Sequence, residues 1–411
     1  MKRIANLFLT TTLLFSYVVT LSSCSDYEEQ MTSEASPVTE ANHRVSVEQA
    51  MLNALDFVGQ LNNSTRSGEY PMTVSNVIAI TNDGDITRSQ IDSIFADTLF
   101  YIINFAENRG YVIAAADNRE TPIFAYVEEG AYEEPDTLNG GYKAFIDAIT
   151  DPEGHKNGHE RFKYKEDIDI GGGGGTSGNN NDVFEVKSPI LQTKWDQRSY
   201  NSYCSGFYTG CVVTAISQIC SYLKSPTYVT WTDNGTVYES DIDWDNIVEE
   251  CSSNNGNLNN DNLKDQIAHL MRYWGVVFNA NYTTNGTGVV STYAIQELRQ
   301  LGFNATFLKD YNATNIMNDL KQGNKIVYMR GIEGYNSEGG HGWVVDGYIF
   351  KRKNNTESIY MHCNWGWGGS SNGYFLSDVF DTAQIAYDDN GQAITRSLYF
   401  KYNLQTSTIS K

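Results

Sequence analysis

A thiolate nucleophile needs a cysteine that favours ionisation and an imidazole to share its proton, and the chain offers six residues of each type. Cys211 stands in Gly210-Cys211-Val-Val-Thr-Ala-Ile-Ser-Gln-Ile-Cys220-Ser-Tyr-Leu223. There Val212, Ile216, Ile219 and Leu223 form a helical stripe that stops before Pro226. Cys211 is therefore expected at the first turn of a helix, where free amides and the helix dipole favour thiolate. Paired with an imidazolium, such a thiol reaches a pKa of roughly 3.5 to 7.5. The competing roles for Cys211 are a small buried residue or half of a disulfide with Cys204 or Cys220; Cys220 itself, inside the helix, reads as core.

Of the histidines, His43, His155 and His159 lie in an acidic amino-terminal half, and His269 lies in a helix-like stretch with a structural or surface role. The other two stand on consecutive strand-like segments, Gly339-Gly340-His341-Gly342-Trp343-Val-Val-Asp346-Gly and Ile359-Tyr-Met-His362-Cys-Asn364-Trp365-Gly-Trp367-Gly-Gly369. Alternation in a strand puts His362 and Asn364 on one face and Cys363 and Trp365 on the other. On these residues alone either histidine could be the base. His341 begins its strand in a glycine-rich loop that lets a substrate backbone approach, and Asn364 could hold the ring through its amide oxygen. A tetrahedral intermediate would need oxyanion donors: the Cys211 amide, and the Gln197 side chain from Lys194-Trp195-Asp196-Gln197. Losing one such donor typically costs about 2.7 to 4 kcal/mol. Taken alone, Gln197 reads as a surface glutamine.

The elements that must position these groups come in two blocks. Ser46-x-x-Gln49 fits a capping box ahead of Val47, Ala50, Met51, Ala54, Leu55 and Val58, an amphipathic helical spacing. Strand-like runs follow at 100–105, 110–116 and 122–127, giving an α+β unit with an antiparallel sheet. Gly171 to Gly175 then open a Gly/Asn-rich tract that neither helix nor strand holds cheaply. It reads as an interdomain linker and as an exposed site for proteolytic maturation. The net charge of −21 is concentrated before it: residues 1–182 carry net −16 and 183–411 net −5. So acidic a chain of 411 residues argues against nucleic acid as a partner, which requires clustered cations.

At the amino terminus Lys2 and Arg3 precede an apolar run to Leu21, which reads as an export signal. Leu21-Ser22-Ser23-Cys24 resembles the lipobox of bacterial lipoproteins, which implies acylation at Cys24; a signal cut nearby without lipid, or an uncleaved anchor, are the alternatives. Later apolar runs fall short of the ~20 residues that span a bilayer. Without Cys24 the cysteines number five, so at least one thiol stays unpaired in an oxidised monomer. With no C-x-x-C pair a zinc site has little support, and no metal or cofactor is expected.

Trp-Asp-Gln, Thr-Gly-Cys-Val-Val-Thr-Ala-Ile-Ser-Gln-Ile, Gly-Gly-His-Gly-Trp-Val-Val-Asp-Gly and His-Cys-Asn-Trp-Gly-Trp-Gly-Gly occur in that order. Together they resemble the streptopain-like cysteine peptidases over nearly all of 185–400. The resemblance implies a papain-like catalytic domain with Cys211 as nucleophile, His341 as general base, Gln197 in the oxyanion hole, and Asn364 with Trp365 orienting and shielding the histidine. His362 falls where a noncatalytic histidine occurs in that family. Cys204, Cys220, Cys251 and Cys363 depart from the family's single active-site cysteine. Tyr101-Ile-Ile-Asn-Phe, Gly110-Tyr-Val-Ile-Ala-Ala-Ala-Asp117-Asn-Arg and Pro122-Ile-Phe-Ala-Tyr look like the streptopain propeptide, which blocks the cleft.

The implied organisation is a lipoprotein signal (1–24), a tether (25–42), a small α+β inhibitory pro-domain (43–168), a Gly/Asn-rich linker with the maturation site (169–182) and a papain-like α+β catalytic domain (183–411). Its implied partners are protein or peptide substrates, the chain's own propeptide as intramolecular inhibitor, and a membrane through the lipid only. The implied place of this exported lipoprotein is the periplasm or cell surface, with release after maturation as the alternative. A Cys-His acyltransferase or amidase on the same fold, and a noncatalytic surface adhesin or inhibitor, are the alternative functions.

Overall fold

The Ser46 hydroxyl accepts the Gln49 amide at 3.2 Å and starts the helix Val47–Thr65, whose buried face is Val47, Ala50, Ala54, Phe57, Val58 and Leu61. That stripe lies over strands rich in β-branched and aromatic residues, Thr98–Phe105, Tyr111–Ala115 and Ile123–Val127, which are buried on both faces. The computed structural model describes residues 43–65, 72–81, 84–87, 98–132, 140–150, 182–284, 286–332, 340–353, 356–380, 386–387, 393–394 and 402–411. The expected signal and tether, Cys24, and the glycine tract at 171–175 lie outside these residues.

One sheet runs through both blocks of the chain. Its order is Asn304–Ala305, Tyr402–Ser410, Ile326–Ile332, Gly340–Lys353, Thr356–Asn364, Gly373–Leu376, Ile123–Val127, Tyr111–Ala115, Thr98–Phe105, Val74–Thr81 and Gly84–Thr87, with Lys309–Asp310 and Val183–Lys187 pairing alongside. The junction is antiparallel, with Gly373 opposite Val127, Tyr374 opposite Tyr126 and Phe375 opposite Ala125. Glycine is needed at 373, because a Cβ there would fall 2.1 Å from the Tyr126 carbonyl oxygen. The acidic amino-terminal block thus completes the edge of the sheet that carries His362 and Asn364.

The two faces of the sheet bury different cores. Trp343, Val345, Trp365 and Phe375 join the core that contains Phe57, Tyr142 and Phe145 from the amino-terminal helices. Val344 and Tyr328 join the other, with Val213, Ile216 and Ile219 of the helix Cys211–Leu223 and with Ile267 and Trp274 of Asp261–Val277. The register slips at Asp346, where Val345 pairs with Cys363 and Gly347 with His362. Such a bulge re-aims a side chain, here next to the candidate site.

Candidate active site

The helix begins at Cys211, after Gly210 at φ 94°. Only glycine adopts that angle freely, and a Cβ at 210 would meet the Thr287 carbonyl oxygen at 3.0 Å. Burial pushes the Cys211 thiol up, and the backbone bonds it receives from Gly342, Val212 and its own amide do not reverse this.

His341 lies on the face of its strand opposite to Gly342, stacked on Trp343 with ring centroids 5.9 Å apart and 16° between planes. Its Nε2 donates to the Trp365 carbonyl oxygen at 2.9 Å, which leaves Nδ1 as the acceptor of a neutral ring. Burial lowers its pKa to about 4, and the Trp365 carbonyl offsets this only in part. Both shifts favour the neutral thiol and the neutral imidazole over the thiolate–imidazolium that attack requires.

What covers His341 is the helix Gly140–Thr150. It is anchored by Tyr142 and Phe145 against Phe375, with ring centroids 5.9 and 5.0 Å apart. A Cβ at Gly141 would fall 2.5 Å from Trp365 ring carbons and 2.8 Å from His341 Cδ2. Only a glycine lets the helix sit this close. Gly141→Val is therefore expected to lift the helix from the ring at a cost of about 1–3 kcal/mol, typical of overpacking. The full-length chain should then convert several-fold faster to its processed form. A gel time course showing unchanged conversion by a folded variant would remove Gly141 from the latch.

Asn364 is 2 % exposed, and its amide does not reach His341 in this arrangement. Oδ1 accepts from Gln218 Nε2 at 3.1 Å and the Gly366 amide at 3.2 Å; Nδ2 donates to the Thr193 carbonyl at 2.9 Å and to Gln218 Oε1 at 3.2 Å. Trp365 is fully buried and donates its indole N–H to the Ser371 carbonyl at 3.0 Å. The Gln197 carbonyl accepts from the Thr209 amide at 3.0 Å, which ties its loop to the residue two before Cys211. Trp367, 36 % exposed, stacks over His341 at 6.5 Å and bridges to Asp196.

His362 has other partners. Nδ1 meets Asp346 Oδ1 at 2.5 Å and Nε2 meets Glu128 Oε2, from the amino-terminal block, at 3.2 Å. Burial alone would lower this imidazole, but the two carboxylates outweigh it and raise its pKa to about 10. A charged, doubly paired ring has no lone pair with which to act as a base. Beside it the Glu129 carboxylate bonds Lys194 Nζ at 2.6 Å and Asn255 Nδ2 at 3.1 Å.

Sequence reasoning did not single out Gln218, Gly141 or Glu128. Gln218 had a usable signal: it lies two turns after Cys211 on the same helix and is fully buried. The five cysteines Cys204, Cys211, Cys220, Cys251 and Cys363 are all free thiols.

A thiol at a helix N-terminus, a buried imidazole on the strand whose Gly342 backbone bonds that thiol, and an amino-terminal domain seated on that imidazole fit the class of cysteine peptidases made as zymogens. Residues 195–375 match the Peptidase C10 family and residues 35–152 the Spi protease inhibitor model. These two matches make the chain a cysteine peptidase zymogen that carries a Peptidase C10 domain and its own inhibitor propeptide. It is 24% identical over 320 residues to streptopain of Streptococcus pyogenes, covering 69% of this chain and 75% of that protein. It is also 26% identical over 334 residues to the thiol protease/hemagglutinin PrtT of Porphyromonas gingivalis, covering 70% of this chain and 35% of that one. The fold resembles that of prointerpain A from Prevotella intermedia, with TM-score 0.51 and 20% identity over 75% of this chain and 94% of that one.

Proposed function

We propose that the chain is an exported, lipid-anchored endopeptidase that cuts proteins through a Cys211 acyl-enzyme. His341 serves as base, the Cys211 amide and Gln197 side chain bind the oxyanion, and Asn364 with Trp365 holds and shields the histidine. The observation that carries this reading is the seat of Gly141 on His341 and Trp365: a domain that matches a protease inhibitor covers the very imidazole the chemistry needs. In the mature enzyme His341 leaves the Trp365 carbonyl and reaches the thiol, and solvent relieves the burial that holds the pair neutral. The thiolate attacks the scissile carbonyl, the imidazolium protonates the leaving amine, and water then releases the acyl group.

The boundaries follow the same reading: signal 1–24 with acylation at Cys24, tether 25–42, pro-domain 43–168, linker 169–182 and catalytic domain 183–411. The apolar amino-terminal run and the lipobox resemblance support a periplasmic or cell-surface enzyme held by lipid alone. The test uses the full-length chain incubated with casein, with and without a thiol-alkylating epoxide, and sequences the amino terminus of the processed form. Expected are casein cleavage abolished by the epoxide and a mature start between Gly171 and Pro189. Absence of cleavage after verified loss of the pro-domain would sink the endopeptidase reading.

A further inference from the structure

Resting on the reading of Asn364 as the residue that holds His341, we propose that Gln218 is a positioning residue that sets which face of the Asn364 amide the histidine meets. An asparagine side chain is nearly symmetric in shape, so a half-turn exchanges its acceptor and its donor. Only the oxygen can receive an imidazole N–H. Something must make that half-turn costly.

The polarity is set by backbone groups that can act in one sense only. The Trp195 amide, which can only donate, meets Gln218 Oε1 at 3.0 Å. That contact makes Oε1 the oxygen of Gln218 and leaves Nε2 to donate to Asn364 at 3.1 Å. The atom of Asn364 facing Nε2 must therefore accept. Two further backbone groups agree: the Thr193 carbonyl takes the Asn364 N–H at 2.9 Å, and the Gly366 amide gives to Oδ1 at 3.2 Å. Rotating Asn364 alone would break four contacts and set donor against donor.

Gln218 and Asn364 are both buried, at 0 % and 2 % exposure, so water cannot replace what a flip loses. The same glutamine joins three elements of the site: the helix that starts at Cys211, the Thr193–Trp195 segment leading to Gln197, and the strand end at Asn364 and Trp365. Oδ1 already accepts two bonds, so in the mature enzyme the histidine shares or displaces one of them, with Gln218 keeping the oxygen in place.

The experiment compares Gln218→Met, Gln218→Glu and Asn364→Ala as full-length chains processed by a trace of wild-type enzyme. Active sites are counted with the epoxide, and folding is checked by thermal unfolding. Gln218→Met should lower kcat by about 10- to 100-fold, the scale of a slightly misplaced catalytic group. KM should stay within about threefold, since no substrate contact is lost. In an Asn364→Ala background the same change should have little further effect. Gln218→Glu should recover activity relative to wild type as pH falls. Its buried carboxyl titrates late, and when protonated it can donate to Oδ1 as Nε2 did, whereas the carboxylate cannot. Folded Gln218 variants with wild-type kcat and pH profile would overturn the proposal while Asn364→Ala remains impaired. Equal losses from Gln218→Met with and without Asn364 would also overturn it. A fully active Asn364→Ala enzyme would overturn both this proposal and the reading of Asn364 on which it rests.

Discussion

His341→Ala is expected to lower turnover by roughly four to six orders of magnitude with the fold intact, the scale seen when one member of a nucleophile–base pair is removed. Cys211→Ala should do the same and leave the full-length chain uncut. Nothing described around His341 depends on its charge: the ring is neutral and makes one hydrogen bond, to the Trp365 carbonyl. The His362→Ala variant should behave differently. It strips the cation from Asp346, a side chain 1 % exposed that keeps only its bond from the Leu191 amide, and breaking a buried pair in this way costs about 3–5 kcal/mol. The His362 contribution also has a pH signature. With a folded pKa of about 10 against 6.5 for a free ring, its stabilisation is complete below pH 6.5, declines above it and is gone beyond about pH 10. Thermal unfolding of the zymogen against pH should show that decline in wild type and lack this component in His362→Ala. A folded His362→Ala enzyme with the catalytic loss, beside an active His341→Ala enzyme, would exchange the two roles.

Glu128→Gln is expected to weaken inhibition by the separately added segment 43–168 by roughly 10- to 30-fold, no more than the low end of the range for a buried charge pair across an interface, because Glu128 is itself 34% exposed. The pair is Glu128 with His362, whose side chain is 4% exposed and already holds Asp346. Glu129→Gln should cost less than about tenfold, because its partner Lys194 is 24% exposed and Glu129 itself 51%, so solvent screens the contact. Raising salt should weaken the Glu129 contribution more than that of Glu128.

Docking should depend little on pH between about 5 and 8. The uncovered pair is a thiolate–imidazolium and the covered pair is neutral, so docking passes the ring proton to the thiol without net uptake from solvent. Inhibition constants measured from pH 5 to 8 on wild type, Glu128→Gln and Glu129→Gln check all three statements. Equal, small losses for the two glutamate variants would show that the sheet junction and the Gly140–Thr150 helix supply the affinity instead.

Much of the scaffold was legible because local patterns encode it. The capping serine and apolar spacing marked Val47–Thr65, and the stripe after Cys211 marked the start of its helix. The strand pattern marked Thr98–Phe105, Tyr111–Ala115 and Ile123–Val127. Periodicity of 3.6 or 2 reports which side chains share a face, and nothing more distant than that. The histidines show the limit. Both stand on strands within three residues of a tryptophan, and residue types alone did not separate them. What separated them was Asp346, aimed by a bulge, and Glu128, 234 residues from His362 in the chain.

By itself, then, the sequence determined the chemical inventory and its order: a cysteine opening a helix, an imidazole in a glycine-rich strand, an Asn-Trp pair, and an acidic domain before a glycine tract. Only the tertiary structure decided which groups face one another. Gln218 meets Asn364 across 146 residues, and Gly141 meets His341 because a helix of one domain is laid on a strand of the other. Such pairings depend on how strands stack and where a chain lacks a Cβ. Those are properties of packing at ångström range, and no periodicity along the chain carries them.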